Sequence, residues 1–333
     1  MRVPYETMKG EFLRVLNKYG ITGERAELSA TLFANASRDG IYTHGLNRFP
    51  RFIRSIVSGA VDAGAEAEPV EALGLLERWD GHRGCGNLNA HRCMQRAIEL
   101  AHRQTIGVVA LRNTNHWMRP GNYGLMAVEE GCIGILWTNT TPNMPPWGGR
   151  DARLGNNPVV IAIPNGDDAP VLLDVAMSMF SYGKLESYAR QGRALPVDGG
   201  LNREQQPTRN AAEVLETHQC LPIGYWKGSG LSLALDLVAS ALSGGCTTRQ
   251  VGELPEETGL SQVFIAIHVA GMPDGEAFAR RLKDTLADMQ ASTPVDPARP
   301  VHYPGQNMMR TRLDNMQNGI PVEESIWNEI LQL

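Results

Sequence analysis

Met8, Phe12, Leu16 and Tyr19 fall on one helical stripe, and Gly20 follows as a left-handed stop. Thr22 is placed to cap a second helix that carries Ala26, Leu32, Phe33 and Ala36. A third helical stretch runs on towards Gly59. The period then alternates. Helices are predicted over residues 89–103 and 123–130, and strands over 106–111, 133–137, 159–163 and 171–175. Leu231, Leu235, Val238 and Leu242 mark one face of the clearest apolar helix, residues 231–242. A strand over 263–269 and helices over 278–289 and 323–331 complete the pattern. Segments 191–213 and 292–304 are polar and rich in Gly or Pro, so they read as long loops, which compact domains rarely keep without a use.

This alternation predicts an α/β protein with helices packed on a sheet. The chain is expected to form one unit, residues 1–333, with a helical part over about 1–70 and 300–333 and an α/β part over about 71–299. The 333 residues suffice for a large core, and 42% hydrophobic composition is ordinary for a globular chain. A net charge of −5 with interspersed signs gives no basic surface for nucleic acid. No apolar run is long enough to span a bilayer, and the first residues do not resemble a signal peptide, so a cytoplasmic protein is expected. The five cysteines form no CxxC pair, which points to idle thiols and no metal site.

Thr43-His44-Gly45-Leu46-Asn47-Arg48 carries the most chemistry. If the segment is helical, His44 and Arg48 share a face. A guanidinium fork suits a carboxylate and an imidazole exchanges protons near neutral pH, so the pair fits an acid with a neighbouring carbonyl. A capping His beside a surface Arg fits the spacing as well. His116 follows the predicted strand 106–111, where α/β proteins collect ligands, although a turn His bonded to backbone sits there as easily. Asp174 ends a strand and can hold ribose hydroxyls, while the following Ser-Tyr-Gly-Lys can receive phosphate or simply cap a helix. Lys227-Gly228-Ser229-Gly230 opens the apolar helix with a cation and close-approach backbone suited to a pyrophosphate. Segments 139–149 and 154–158 can wall a pocket or merely connect elements. No G-x-G-x-x-G follows a strand, and no Walker A sequence, HExxH or nucleophile elbow occurs.

In combination, T-H-G-L-N-R, N-T-N-H-W, L-G-N-N-P, M-S-M-F-S-Y-G-K and W-K-G-S-G-L-S-L resemble, in that order, the malate/L-lactate dehydrogenase family that lacks a Rossmann domain. The resemblance spans essentially the whole chain. Segments 45–53, 115–119, 144–148, 195–200 and 224–228 are most similar to the family's diketogulonate-reducing members. It implies a distinct malate/L-sulfolactate dehydrogenase-like α/β fold, a homodimer, and NADH-dependent reduction of a 2-oxo acid, with NADP also possible. It implies His44 as proton donor, Arg48 as the carboxylate holder and His116 as a second polar substrate contact. It also implies Asp198 as a support for His44, with Thr43 completing a relay. Cofactor contacts are implied at Pro170, Val171, Leu172, Leu173, Asp174, Val175 and Ala176, at Trp226 and Lys227, and at Gly305, Gln306 and Asn307. Thr43 stands where many relatives carry Ser. Gln306-Asn307 replaces a His-Glu pair of the diketogulonate enzymes, which removes a charged cofactor contact. Alternatives are a dehydrogenase of malate, lactate, sulfolactate or ureidoglycolate, a cyclic imino-acid reductase, or a non-catalytic ligand-binding relative.

Overall fold

A computed structural model describes residues 1–333. The chain opens with a short strand, β1 (Arg2–Val3), and helices α1 (Tyr5–Lys18), α2 (Gly23–Arg38) and α3 (Phe49–Val57). Thr22 occupies the N-cap of α2, but its side chain makes no capping bond. The inward stripes of these helices meet in one core. Phe12, Phe33, Phe49 and Phe52 pack ring against ring there, with Met8 and Leu16 fully buried.

The middle of the chain builds a seven-stranded mixed sheet. It contains β2 (Glu68–Leu73), β3 (Leu76–Asp80), β4 (Ile106–Thr114), β5 (Cys132–Thr138), β6 (Val159–Ile163), β7 (Val171–Val175) and β10 (Leu260–His268), in the order β2-β3-β4-β10-β5-β6-β7. Only β3 and β4 run parallel; every other neighbouring pair is antiparallel. Helices α4 (Gly86–Gln104) and α5 (Gly121–Glu129) cover one face through a core that includes Met94, Ala97, Tyr123 and Phe264. α8 (Trp226–Ser243) covers the other, where Trp137, Val263 and Ala239 meet. The predicted strands and long helices are present.

Between β7 and α8 the chain leaves the sheet and folds a small cap. It contains α6 (Tyr182–Arg190), a two-stranded ribbon of β8 (Gly200–Leu201) and β9 (Pro207–Thr208), and α7 (Ala211–Thr217), around Phe180, Leu185, Leu195, Val214 and Cys220. The segment 191–213 is thus mostly irregular, but its end enters α7. α9 (Thr248–Val251), α10 (Gly275–Gln290) and α11 (Gln306–Asn318) come next among the helices. β11 (Ile320–Pro321) pairs with β1, and α12 (Glu324–Gln332) returns Trp327 and Ile330 to the N-terminal core.

One helix departs from the sequence pattern. The buried stripe of α8 is small and polar: Gly228, Ser232, Asp236, Ala239 and Ser243. Leu235 and Leu242 pack on the sheet, but Leu231 and Val238 face outward with Leu233 and Leu237. A helix apolar on nearly every side has no single periodic stripe to read.

Candidate active site

Residues 42–48 do not form the α-helix that the spacing suggests. They form two 3-10 turns, Tyr42–His44 and Leu46–Arg48, broken at Gly45. Gly45 lies against α2 so closely that a Cβ there would sit 2.2 Å from Ser37 Oγ and 2.9 Å from the Phe33 carbonyl oxygen. Leu46 N–H donates to Ser37 Oγ at 2.8 Å and holds the break in place. His44 and Arg48 therefore share a cleft because two turns are pinned to α2, not because they lie four apart on a helix.

That cleft, of about 1050 Å³, runs between the N-terminal helices, the C-terminal ends of β5 and β7, and the cap. Thr43, His44, Arg48 and His116 all line it. The His44 and His116 rings stack with centroids 5.9 Å apart. Thr43 Oγ1 lies 3.0 Å from His44 Nδ1, which leaves Nε2 for a ligand. His116 Nδ1 accepts the Met118 N–H at 3.0 Å, so the neutral ring carries its proton on Nε2. Arg48 meets Glu257 at 3.5 Å, its one carboxylate partner.

Burial, and then the charges of Arg48 and Arg119, lower the His44 pKa to about 4. His116 is pushed well below its ordinary value by burial, then by Arg48. Burial also lowers Arg48 to about 10, with Glu257 opposing the shift, so the guanidinium stays charged at neutral pH. Both imidazoles are neutral at neutral pH, beside a fixed cation. Asp174 lies open to the cleft at the end of β7. The protein around it raises its carboxyl pKa, opposed by Arg119 and the Gly121 N–H.

A buried ion cluster ties these parts together. Asp39 Oδ1 accepts from Arg38 Nε at 2.8 Å and Arg312 Nε at 2.7 Å, while Oδ2 accepts from Arg312 and Arg119. One carboxylate thus joins the turn leading to His44, the loop carrying His116, and helix α11.

The full chain fits known proteins. The model of the family described as malate/L-lactate dehydrogenase matches residues 3–331. The chain belongs to the malate/L-lactate dehydrogenase family. It is 44% identical, over the full length of both chains, to a 2,3-diketo-L-gulonate reductase of Mannheimia succiniciproducens, and 43% identical to one of Escherichia coli with the same coverage. Among solved structures, a malate dehydrogenase from Entamoeba histolytica superposes with a TM-score of 0.94 at 26% identity, covering 100% of this chain and 96% of the other. A sulfolactate dehydrogenase from Methanocaldococcus jannaschii does so at 0.88 and 29% identity, again covering 100% and 96%. As a member of this dehydrogenase family, the protein is an oxidoreductase acting on CH–OH groups, and its family implies a nicotinamide cofactor.

The residues present suit such a group. Gly305 has φ +96°, and a Cβ there would lie 2.5 Å from the Pro170 carbonyl oxygen. The Leu172 N–H donates to the Pro304 carbonyl at 2.9 Å, so the 304–307 turn rests directly on β7. The Ile223 N–H reaches the Met177 carbonyl at 2.8 Å, which lays the start of α8 beside the residues after β7. Neither α8 nor α11 has a side-chain cap, but backbone carbonyls already take most of their first N–H groups: Lys227 and Gly228 donate to Gly224 and Ile223, and Gln306 and Met308 donate to Tyr303 and Gly305.

Several expected residues sit differently. Of the expected cofactor residues, Asp174 and Ala176 line the cleft, whereas Trp226 and Lys227 are exposed at the outer start of α8. Gln306 Oε1 accepts from Gln290 Nε2 at 3.1 Å and lies 3.1 Å from His302 Nδ1. Asp198 does not reach His44: it lies on the exposed side of the cap and pairs with Arg209 at 3.2 Å. Within the chain His44 has no carboxylate support, and its pKa falls rather than rises. Ser181 realises the capping reading of its segment, accepting the Lys184 N–H at the start of α6. The sequence reading missed Glu257, which sits in a polar turn with no motif around it.

Proposed function

We propose that the protein reduces a 2-oxo acid with NADH, His44 giving the proton and Arg48 holding the carboxylate. The observation that carries this reading is the single cleft in which Arg48, His44 and His116 converge beside Asp174. Its relatives' names make 2,3-diketo-L-gulonate, reduced to 3-dehydro-L-gulonate, the first substrate to test.

A reduced nicotinamide supplies the hydride when bound. Arg48 receives the acid's carboxylate through its fork and fixes which carbonyl presents itself. That anion offsets the Arg48 charge, one of the two cations that keep His44 unprotonated, so the His44 pKa rises as the acid binds. His44 then holds a proton on each nitrogen, Nδ1–H donating to Thr43 Oγ1 and Nε2–H facing the carbonyl oxygen that becomes the alcohol. His116 donates from Nε2 to the same region without carrying charge, since Met118 N–H occupies its Nδ1. Residues 170–176, 226–227 and 305–307 form the cofactor bed, with the Asp174 carboxylate suited to ribose hydroxyls and the exposed Lys227 ammonium to phosphate. With Gln306 and Asn307 the bed has no fixed charge at that corner, so NADPH belongs in every assay.

The reading is tested by following nicotinamide absorbance with a panel of 2-oxo acids and the matching ketones that lack a carboxylate. Acid-dependent oxidation, absent with the ketones, is expected. Oxidation of neither class, despite cofactor binding, would leave a binding module. Arg48→Leu is expected to raise KM for the acid about a hundredfold, in keeping with loss of a charge-assisted pair, while leaving the cofactor KM unchanged. An unchanged acid KM would remove Arg48 from this role.

The outward Leu231, Leu233, Leu237 and Val238 of α8, with Tyr225 and Trp226, form an apolar face of the kind that a second copy covers. This supports a homodimer. Leu237→Asp is expected to give monomers in light scattering at concentrations where the parent chain is dimeric. A parent chain that is already monomeric would remove this part of the proposal.

A further inference from the structure

The relatives above are named for 2,3-diketo-L-gulonate, malate and sulfolactate, acids that differ in the tail beyond the 2-position, so the cleft has to read that tail. The charges that face it are unevenly committed. Glu323 is held by Arg190, through two contacts of 3.0 and 3.1 Å, and by Asn47 at 3.1 Å. Glu257 is different: its side chain is only 15% exposed, and its one polar contact is Oε2 to Arg48 at 3.5 Å. Oε1 has no partner in the chain. Glu186 on the cap also faces the cleft, and its charge, like that of Glu257, acts on Arg48. The opposing cations are Arg51, at the same end, and Lys184 and Arg193 on the cap.

A substrate carboxylate on Arg48 therefore binds beside a resident carboxylate that has little else to do. Glu257 leaves the guanidinium enough charge for one anion and places a fixed negative charge next to the rest of the substrate. A tail ending in a second carboxylate or a sulfonate meets like charge in a confined, partly dehydrated space. A tail bearing hydroxyls meets an acceptor with a free lone pair on Oε1.

We infer that Glu257 is a specificity-determining residue that turns away dianionic 2-oxo acids and favours monoanionic acids with a neutral, hydroxyl-bearing tail. This rests on the reductase reading above and narrows its substrate class.

The test compares oxaloacetate with 2-oxobutyrate, two acids of equal chain length that differ in a terminal carboxylate. Each is measured as a substrate and as a competitor of the acid best reduced in the panel. The parent enzyme is expected to favour 2-oxobutyrate about ten- to a hundredfold, the size of a like-charge contact in a cleft. Glu257→Gln, which keeps the shape and loses the charge, is expected to shrink that preference about tenfold through the diacid's KM or inhibition constant. The cofactor KM should not move, and Glu257→Ala should act in the same direction. A preference unchanged in both variants overturns the inference. So does an equal loss on both acids, which would make Glu257 a prop for Arg48 and nothing more. A parent enzyme that reduces no 2-oxo acid at all refutes instead the reading on which the inference rests.

Discussion

His44→Asn should lower kcat for reduction of the acid about a hundred- to ten-thousandfold, the usual worth of a positioned general acid. The variant keeps a polar side chain of similar reach, so the turns pinned to α2 through Gly45 and Ser37 should survive. Cofactor binding, read by the quenching of protein fluorescence, is expected to stay within about twofold, since the bed around β7 and the 304–307 turn does not include His44. The acid KM should change little because Arg48 is untouched. Turnover near the parent value would show that another group, His116 foremost, delivers the proton.

Asp39→Ala is expected to cost about 3–5 kcal/mol of folding stability, the effect of removing one partner from a buried ion cluster. Asp39 is 3% exposed and shares its two oxygens among Arg38, Arg119 and Arg312. Its loss leaves the nearly inaccessible Arg119 without a carboxylate at hydrogen-bond distance. Those arginines hold the Asp39 carboxyl well below the usual carboxylate range. A depressed folded-state pKa means that the stabilisation is complete above the ordinary Asp pKa and erodes as pH falls below it. Urea unfolding near neutral pH measures the effect, and a loss below about 1 kcal/mol would mean that the cluster is dispensable.

Much of this was legible along the chain. The paired stripes of α1 and α2, the runs that became β4 to β7 and β10, and the placement of Thr43, His44, Arg48 and His116 in one cleft follow from local pattern, motif and family resemblance. The rest depended on tertiary contacts. β2 has no buried residue and carries Pro69 beside a bulge, so it gives no alternating signal. α6 and α7 are short and lean on a small core that forms only when the cap closes on itself. α11 is polar enough to read as loop, and buries one residue, Asn315, against the turn after α2. The outward apolar face of α8 looks like a core stripe until the sheet is in place.

The site shows the same division. Thr43, His44, Arg48 and His116 were found from residue type and resemblance, yet the reason they meet is Gly45, whose role appears only when α2 lies beneath it. Asp198 was expected beside His44 and lies instead on the cap's outer side with Arg209. Glu257 was invisible because a Glu in a polar turn has no distinguishing neighbours. The electrostatic sign also came only from the fold: desolvation, with the charges of Arg48 and Arg119, lowers the pKa of the half-buried His44 imidazole.

The proton on His44 gives the most direct test of the account. The decisive quantity is kcat/KM for the best 2-oxo acid, followed from mildly acidic to mildly alkaline pH at saturating cofactor. With the His44 pKa near 4 before the acid binds, kcat/KM should fall steadily as pH rises, while kcat holds its plateau to a higher pH. A kcat/KM that is flat, or that rises with pH, would contradict proton donation by His44 in this cleft.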